Sequence, residues 1–282
     1  MKLMIKLILR FFSMMPLRVN HWIGSLIGYY LHLTNSDSKQ VVEKNINACF
    51  SQMNEKDRAL LVKKSLIETG KGLSETGYIW LKSFKENQAK ITKTISIEQL
   101  DSNQPVILLV PHFGCWEITG RVVSLLKPTT FLYKPLKKSS QEKLLIANRQ
   151  QGDLSMATAD KKGVIQLQRA IKNQEIIGIL PDQDPGEEGG VIMPFFDTNA
   201  RTMTLLAKLA RKNKAKVVLT WALRLPKGQG YELNFKAVNI LSDSGKIEDD
   251  VKLMNQVIEE LVLTKPEQYL WNYKRFKASI NY

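Results

Sequence analysis

Two short apolar runs constrain the fold more than any other feature: PVILLV at residues 105–110 and EIIGIL at 175–180. A strand with one face in water alternates apolar and polar residues, whereas these runs are apolar on both faces, as in the centre of a parallel sheet. Three further runs, TTFLYK, KVVLTWALRL and YELNFKAVNI, alternate with charged, helical stretches. YELNFKAV itself alternates, as edge or antiparallel strands do. The sequence therefore predicts an α/β fold with a mixed, mostly parallel central sheet flanked by helices.

Residues 1–36 differ from the rest of the chain, because they are apolar and interspersed with basic and aromatic side chains. The uncharged stretch 19–36 has 18 residues, and a membrane-spanning helix needs roughly 20 mostly apolar ones. We predict that residues 1–36 form a membrane anchor, either one short span or an amphipathic helix at the interface. The alternative is an apolar helix packed against the protein's own core. Residues 37–282 are then the α/β domain, with 37–100 as its helical lead-in.

The charge of the chain indicates anionic partners. Lys and Arg number 41 against 27 Asp and Glu, a net charge of +14 with a pI of about 9.6. Nucleic acid, an acidic membrane surface, phosphorylated lipids and an acidic carrier protein all fit that excess. The sequence has no zinc-finger or RNP-type motif, and its apolar N-terminus favours lipid, so we predict no nucleic-acid partner. Two cysteines are too few for a disulfide framework and indicate a reduced, cytosol-facing protein. Together with three scattered histidines they form no zinc pattern, so we predict no metal site.

Active sites of open α/β sheets lie beyond the carboxyl ends of the strands, and PVILLV ends in PHFGCWE. Histidine accepts a proton near neutral pH, and a carboxylate that holds its other ring nitrogen makes it an effective base. A turn at Gly114 would let His112 meet Glu117 in the first turn of a helix. We predict that His112 is a general base oriented by Glu117. A structural histidine beside a capping glutamate is the alternative.

EIIGIL ends in PDQDPGEEGG, which places Asp182, Gln183 and Asp184 at a second strand end. These residues either hold a divalent ion, as in a nucleotide-sugar glycosyltransferase, or brace the floor of the site. The sequence contains no Gly-x-Ser-x-Gly motif, and neither cysteine has a catalytic context. A histidine base would then activate a hydroxyl group or water supplied with the substrate, without a covalent enzyme intermediate.

Several motifs in order resemble one family, the bacterial lipid A biosynthesis acyltransferases of the late lauroyl/myristoyl type. That family belongs to the H-x4-D/E glycerolipid acyltransferases, so the resemblance implies a glycerol-3-phosphate acyltransferase-like fold. The resemblance runs over nearly the whole chain. The matching segments are KNINACF at 44–50, HFGCWE at 112–117, YKP at 133–135, Arg149, PDQDPGEEGGVIMPFF at 181–196 and YLWNYKRFK at 269–277.

The resemblance implies a reaction and its partners. A fatty acyl chain would move from acyl carrier protein to a hydroxyl group on a 3-hydroxyacyl chain of a lipid A precursor. It implies no cofactor, since the acyl carrier thioester is a substrate, and it places the protein at the bacterial inner membrane with its site facing the cytoplasm. The roles it implies are His112 as general base, Glu117 as its orienting group, Arg149 at a substrate phosphate or the thioester, and Asp182, Gln183 and Asp184 at the site floor.

Ile46 and Asp197 depart from the family pattern, which has Leu and commonly Gly at these places. Both departures lie away from the base and bear on the choice of acceptor. One alternative is therefore the same chemistry on another membrane glycolipid. The others are a metal-dependent glycosyltransferase that uses Asp182 and Asp184, and a basic membrane-attached binding protein whose His112–Glu117 pair is structural.

Overall fold

A computed structural model describes residues 2–135, 142 and 146–282. Its α-helices are α1 Lys2–Met14, α2 Leu17–Leu33, α3 Asp37–Cys49, α4 Glu55–Leu81, α5 Phe84–Gln88, α6 Trp116–Val123, α7 Lys161–Lys172, α8 Leu205–Asn213 and α9 Ile247–Thr264. Its strands are β1 Ile91–Ile95, β2 Val106–Leu109, β3 Thr129–Tyr133, β4 Leu154–Thr158, β5 Ile176–Ile179, β6 Gly190–Phe195, β7 Thr198–Met203, β8 Lys216–Arg224 and β9 Tyr231–Val238.

Seven strands form one sheet in the order β1-β9-β8-β2-β5-β3-β4. Within it only β8 and β9 run antiparallel to each other, and every other neighbouring pair is parallel. Strands β6 and β7 form a separate antiparallel hairpin. The predicted mixed, mostly parallel sheet is confirmed, and YELNFKAV runs antiparallel to β8, as its alternation indicates, although it is parallel to β1. Residues 37–100 are not helical throughout as predicted, because β1 lies within them and pairs with β9 at the edge of the sheet.

Strand β2 is covered on both faces, as its apolar run predicts. All four of its residues are buried, and alternate side chains contribute to two different hydrophobic clusters. Ile107 and Leu109 join the cluster that includes α7, α8 and α9, whereas Val106 and Leu108 join the one that includes α6. Because helices cover both faces of the central strands, polar side chains are placed beyond the strand ends.

The N-terminal helices α1 and α2 both pack against α4. The side of α2 that faces α4 is small and polar: a Cβ added to Gly28 would lie 2.4 Å from the Cα of Ile67, and one on Gly24 would lie 2.6 Å from the Cα of Lys71. Glycine at these positions therefore sets the close approach of α2 to α4. The exposed large hydrophobic side chains of the two N-terminal helices are Met4, Leu7, Ile8, Phe11, Met14, Val19, Trp22, Leu26, Tyr29, Tyr30 and Leu33.

The apolar side of α2 is thus directed away from the protein, and its polar and glycine side is buried. The alternative prediction is an apolar helix packed against the protein's own core. Helix α2 does pack against the protein, but through its small, polar side and not through its apolar side. In the part of the chain that the structure describes, no helix has both the length and the apolar character needed to span a membrane.

A buried ionic cluster joins α2 and α4 to the sheet. Glu75 of α4 accepts hydrogen bonds from Arg224 of β8 at 2.6 Å and from Tyr231 of β9 at 3.0 Å, and its carboxylate lies 3.0 Å from Nε2 of His21 in α2. Burial raises the pKa of Glu75, but the charge of Arg224 and the hydrogen bonds from His21 and Arg224 outweigh it and bring that pKa to about 2. Arg224 also donates to the carbonyl oxygen of Gly114 at 2.8 Å.

We expect Glu75→Gln to lower the free energy of unfolding by roughly 3–5 kcal/mol at pH 7, because it removes one partner of a buried ion pair. The pKa of Glu75 is lowered on folding, so its contribution is complete above pH 4.5 and is lost as the pH falls towards 2. Urea unfolding of both proteins across that range measures the difference, which should narrow with acidity. The control is Glu43→Gln, which breaks a partly exposed pair with Lys39 and should cost less than ~1 kcal/mol. Equal losses in the two variants would contradict the assignment.

Candidate active site

The candidate site lies where β2 and β5 end side by side. The two strands are parallel neighbours, and Leu109 pairs with Ile179. Three residues beyond that pair, each chain segment has passed a proline and reached a polar side chain, His112 on one and Asp182 on the other. Equal spacing from a shared register brings the two side chains together.

His112 is held by Asp182 through two contacts. Nδ1 of the ring lies 2.8 Å from one carboxylate oxygen, and the backbone N–H of His112 donates to the other at 2.8 Å. Burial raises the pKa of Asp182, but the charge and hydrogen bonds of His112 lower it more, so the carboxylate is ionised. An ionised acceptor at Nδ1 fixes the proton there and leaves Nε2 as the basic nitrogen. Nε2 faces the side-chain amide of Gln183, at 3.1 Å.

The turn after His112 needs the glycine that the sequence places there. Gly114 has a φ of +59°, and a Cβ at this position would lie 2.1 Å from the carbonyl oxygen of Ala222. The carbonyl oxygen of Ala222 accepts a hydrogen bond from the backbone N–H of Cys115. The carbonyl oxygen of His112 accepts a hydrogen bond from the backbone N–H of Leu270. These bonds fix the backbone on both sides of the imidazole.

The structure corrects the expected partner of His112. Glu117 lies in the first turn of α6 as predicted, but its oxygens accept hydrogen bonds from Trp80 at 3.0 Å and from Nε of Arg149 at 3.0 Å. Nη2 of Arg149 completes a bidentate pair with the carboxylate. Among the described residues, no hydrogen bond joins Glu117 to His112. Arg149 and Trp80 engage the glutamate, whereas Asp182 is already beside the ring because of the strand register.

Burial raises the pKa of Glu117, but the charge of Arg149 and its hydrogen bonds lower it more, so this carboxylate is ionised as well. The ion pair lies on the wall of the site. Glu117 and Arg149 are therefore brought together by the fold, in a pairing that their sequence spacing does not indicate.

A cavity of about 640 Å³ opens onto His112. Glu117, Arg149, Gln183 and Asp184 all line it, whereas Asp182 is buried behind the histidine. The remaining walls are largely apolar, which suits a hydrocarbon chain better than a sugar. Their apolar side chains include Trp116, Phe131, Leu132, Leu154, Met156, Val164, Leu180, Met203, Leu205 and Leu270.

The two aspartates of the Asp-Gln-Asp motif do not converge. Asp182 is engaged by His112, whereas Asp184 accepts a hydrogen bond from the backbone N–H of Gly186 at 2.9 Å and so shapes the following turn. Within the described ranges, no three His, Cys, Asp or Glu side chains are grouped so that they could hold a metal ion. The geometry favours the bracing role for this motif over shared coordination of one ion.

Sequence reasoning missed two aromatic contacts of the site. Trp80, at the end of α4, binds Glu117, and the Trp116 ring centroid lies 5.1 Å from that of His112. The position of Trp116 between His112 and Glu117 along the chain is a signal that could have indicated this contact. Nothing in the sequence near Trp80 indicates that it reaches the site.

Comparison with known proteins identifies a family and several similar enzymes. A family profile described as "Bacterial lipid A biosynthesis acyltransferase" matches residues 3–278. The lipid A biosynthesis lauroyltransferase of Escherichia coli K12 is 30% identical over 245 residues, which cover 85% of this chain and 79% of that protein. The lipid A biosynthesis palmitoleoyltransferase of the same organism is 26% identical over 273 residues, covering 94% and 87%. A lipid A biosynthesis acyltransferase of Haemophilus influenzae is 26% identical over 274 residues, covering 94% and 86%.

We expect the neutral imidazole of His112 to carry its proton on Nδ1, and Asp182→Ala to move it mainly to Nε2 because the acceptor at Nδ1 is lost. Ring nitrogen chemical shifts of ¹⁵N-histidine-labelled protein report the tautomer, and the chain has only three histidines to assign. Glu117→Gln is the matched control and should leave the tautomer unchanged. A tautomer that responds to Glu117→Gln but not to Asp182→Ala would reverse the assignment of the orienting residue.

Proposed function

This chain belongs to the bacterial lipid A biosynthesis acyltransferase family, and from that premise we propose how it acts. It transfers a fatty acyl chain from acyl carrier protein to a hydroxyl group of a 3-hydroxyacyl chain on a lipid A precursor. The observation that carries the proposal is His112, with Nδ1 held by an ionised Asp182 and Nε2 directed towards the cavity. This arrangement supplies a base for a hydroxyl group that the acceptor brings.

The acceptor hydroxyl takes the place of the Gln183 amide at Nε2 of His112. As its oxygen attacks the thioester carbonyl carbon, its proton passes to Nε2, and Asp182 stabilises the imidazolium that forms. The carbon–sulfur bond then breaks, and the thiolate of the carrier leaves with the proton held by His112. The histidine returns to its starting form, and the acyl chain ends as an ester on the acceptor.

The described residues favour direct transfer over a covalent enzyme intermediate. Cys115, the cysteine next to the site, is buried, and burial raises its pKa well above the ordinary value. It is therefore a poor source of thiolate. Among the described residues, no serine, threonine or cysteine side chain hydrogen-bonds to His112, so the acceptor is the nucleophile that the base can reach.

The walls and charges of the cavity suit the two substrates. Its apolar side chains fit a fatty acyl chain, and the Glu117–Arg149 pair presents a guanidinium group on the same wall. We assign Arg149 to a phosphate or to the polarised thioester carbonyl. The net charge of +14 favours an acidic carrier protein and a phosphorylated glycolipid.

The exposed face of the N-terminal helices α1 and α2 is the proposed contact with the membrane. Trp22 and Tyr30 of α2 are 63% and 66% exposed, and tryptophan and tyrosine are the residues that membrane interfaces prefer. Lys6, Arg10 and Arg18 on the same two helices suit anionic headgroups. We place the protein on the inner membrane with its site facing the cytoplasm, where acyl carrier protein is made.

We expect His112→Ala to lower kcat by roughly 10²–10⁴-fold, because it removes the general base, and Asp182→Ala to lower it substantially through the lost orientation of the ring. The assay is transfer of a labelled acyl chain from acyl carrier protein to a purified lipid A precursor, with mass spectrometry to confirm the added ester. His32→Ala, a histidine change outside the cavity lining, is the control and should retain activity.

Acyl transfer that is unaffected by His112→Ala would contradict the proposed mechanism. Thioester turnover with no product on the lipid A precursor, but with product on another membrane glycolipid, would keep the chemistry and change the acceptor.

We expect Trp22→Ser combined with Tyr30→Ser to weaken binding to vesicles that contain anionic lipid by at least tenfold. Burying each aromatic side chain in lipid is worth ~1.5–3 kcal/mol, and that energy is lost with serine. Co-sedimentation with vesicles measures the change. Leu263→Ser, at an exposed leucine of α9, is the matched control. Equal binding by both variants would argue against this face as the membrane contact.

A further inference from the structure

Arg121 is a buried cation on the wall of the cavity that the reaction described above does not use. It lies one turn after Glu117 on α6 and is 2% exposed. Its Nη1 donates to the carbonyl oxygen of Asn148 at 2.6 Å, and its Nη2 donates to that of Lys82 at 2.6 Å. The guanidinium carbon stacks 4.2 Å from the ring centroid of Phe84.

Both carbonyl groups stand at helix ends. Lys82 is the C-terminal cap of α4, and Asn148 lies in the helical segment 146–149, which ends one residue later. The last carbonyls of a helix lack intrahelical donors and carry a negative partial charge. In the described part of the chain, no carboxylate oxygen hydrogen-bonds to Arg121, so the two carbonyl groups are its hydrogen-bond acceptors. Burial lowers the pKa of Arg121 to about 10, against the opposing charge of Glu117, and the side chain stays cationic at neutral pH.

The two segments that Arg121 holds are the ones that carry the partners of Glu117. Trp80 precedes Lys82 by two residues and donates to Glu117, and Arg149 directly follows Asn148 and forms the bidentate pair. One side chain therefore ties together the end of α4, the segment of Arg149, and the helix that carries Glu117 itself. The three elements are far apart in sequence and converge at this guanidinium.

We propose that Arg121 is a positioning residue that sets the geometry of the Glu117–Arg149 pair in the cavity. It does so by fixing the backbone on either side of the glutamate, not by touching substrate. The kinetic consequence of this role rests on the proposed function. The structural role does not, because it concerns contacts within the protein.

The indole N–H of Trp80 provides a direct test, since its chemical shift responds to the hydrogen bond with Glu117. The signal is assigned by its loss in Trp80→Phe among five tryptophans. We expect Arg121→Met to shift it in the same direction as Glu117→Gln. The control is Arg211→Met. Arg211 also donates to a carbonyl oxygen, that of Ser242, and to Asp250, and its loss should leave the indole signal unchanged. An indole signal unmoved by Arg121→Met overturns the proposal whether or not the protein is an acyltransferase.

Acyl transfer provides the second readout. We expect Arg121→Met to lower kcat at least tenfold with a smaller change in KM, and Arg121→Lys to recover part of the loss by donating to one carbonyl. In combination with Arg149→Met, Arg121→Met should add less than a further twofold loss, because both act through one ion pair. If the activity losses of the two single variants multiply in the double variant, the proposal is overturned.

Where Arg121→Met does not fold, Arg121→Lys replaces it in both experiments. The lysine variant should show a smaller indole shift in the same direction, and no shift counts against the proposal. A wild-type protein that transfers no acyl chain to a lipid A precursor would refute the proposed function, yet the indole experiment would still decide the role of Arg121.

Discussion

The parallel pairing of β2 with β5 is the constraint on which the site depends. It aligns two strands that end in the same way, and so converts a spacing of 70 residues along the chain into a contact of 2.8 Å between His112 and Asp182. Because helices bury both faces of these strands, their carboxyl ends are where the sheet can present such a pair. The contact between the histidine and the aspartate, and the burial of the aspartate behind the ring, follow from this register.

Much of this arrangement could be predicted from the sequence. The five quoted apolar runs are strands, the turn at Gly114 is where a glycine was required, and His112, Glu117 and Arg149 share one cavity. Proximity along the chain favours Glu117 as the partner of His112, whereas the structure has Asp182 there. Both strand ends were recognised as polar, but the contact depends on β2 and β5 being neighbours, and that order is set by crossover connections rather than by local pattern.

The overlooked elements have local explanations. Strand β4, LSMAT, has polar residues and lacks the valine, isoleucine and aromatic residues typical of strands. Hairpin β6–β7 contains Pro194 and follows a glycine-rich turn, so its sequence is typical of a loop. The partners of Glu117 and the two carbonyls bound by Arg121 come from segments 27 to 39 residues away. Contacts of this kind arise from tertiary packing, which periodicity does not encode.

The Glu75 cluster has a consequence for how substrates arrive. It bonds α2 to α4, β8 and β9, and its Arg224 reaches the turn after His112, so α2 is fixed rigidly to the part of the protein that carries the site. With its aromatic face on lipid, such a rigid body would hold the cavity mouth at one height and tilt above the bilayer. An acceptor lipid would then have to rise to a fixed depth, and the carrier protein would have to dock from one direction.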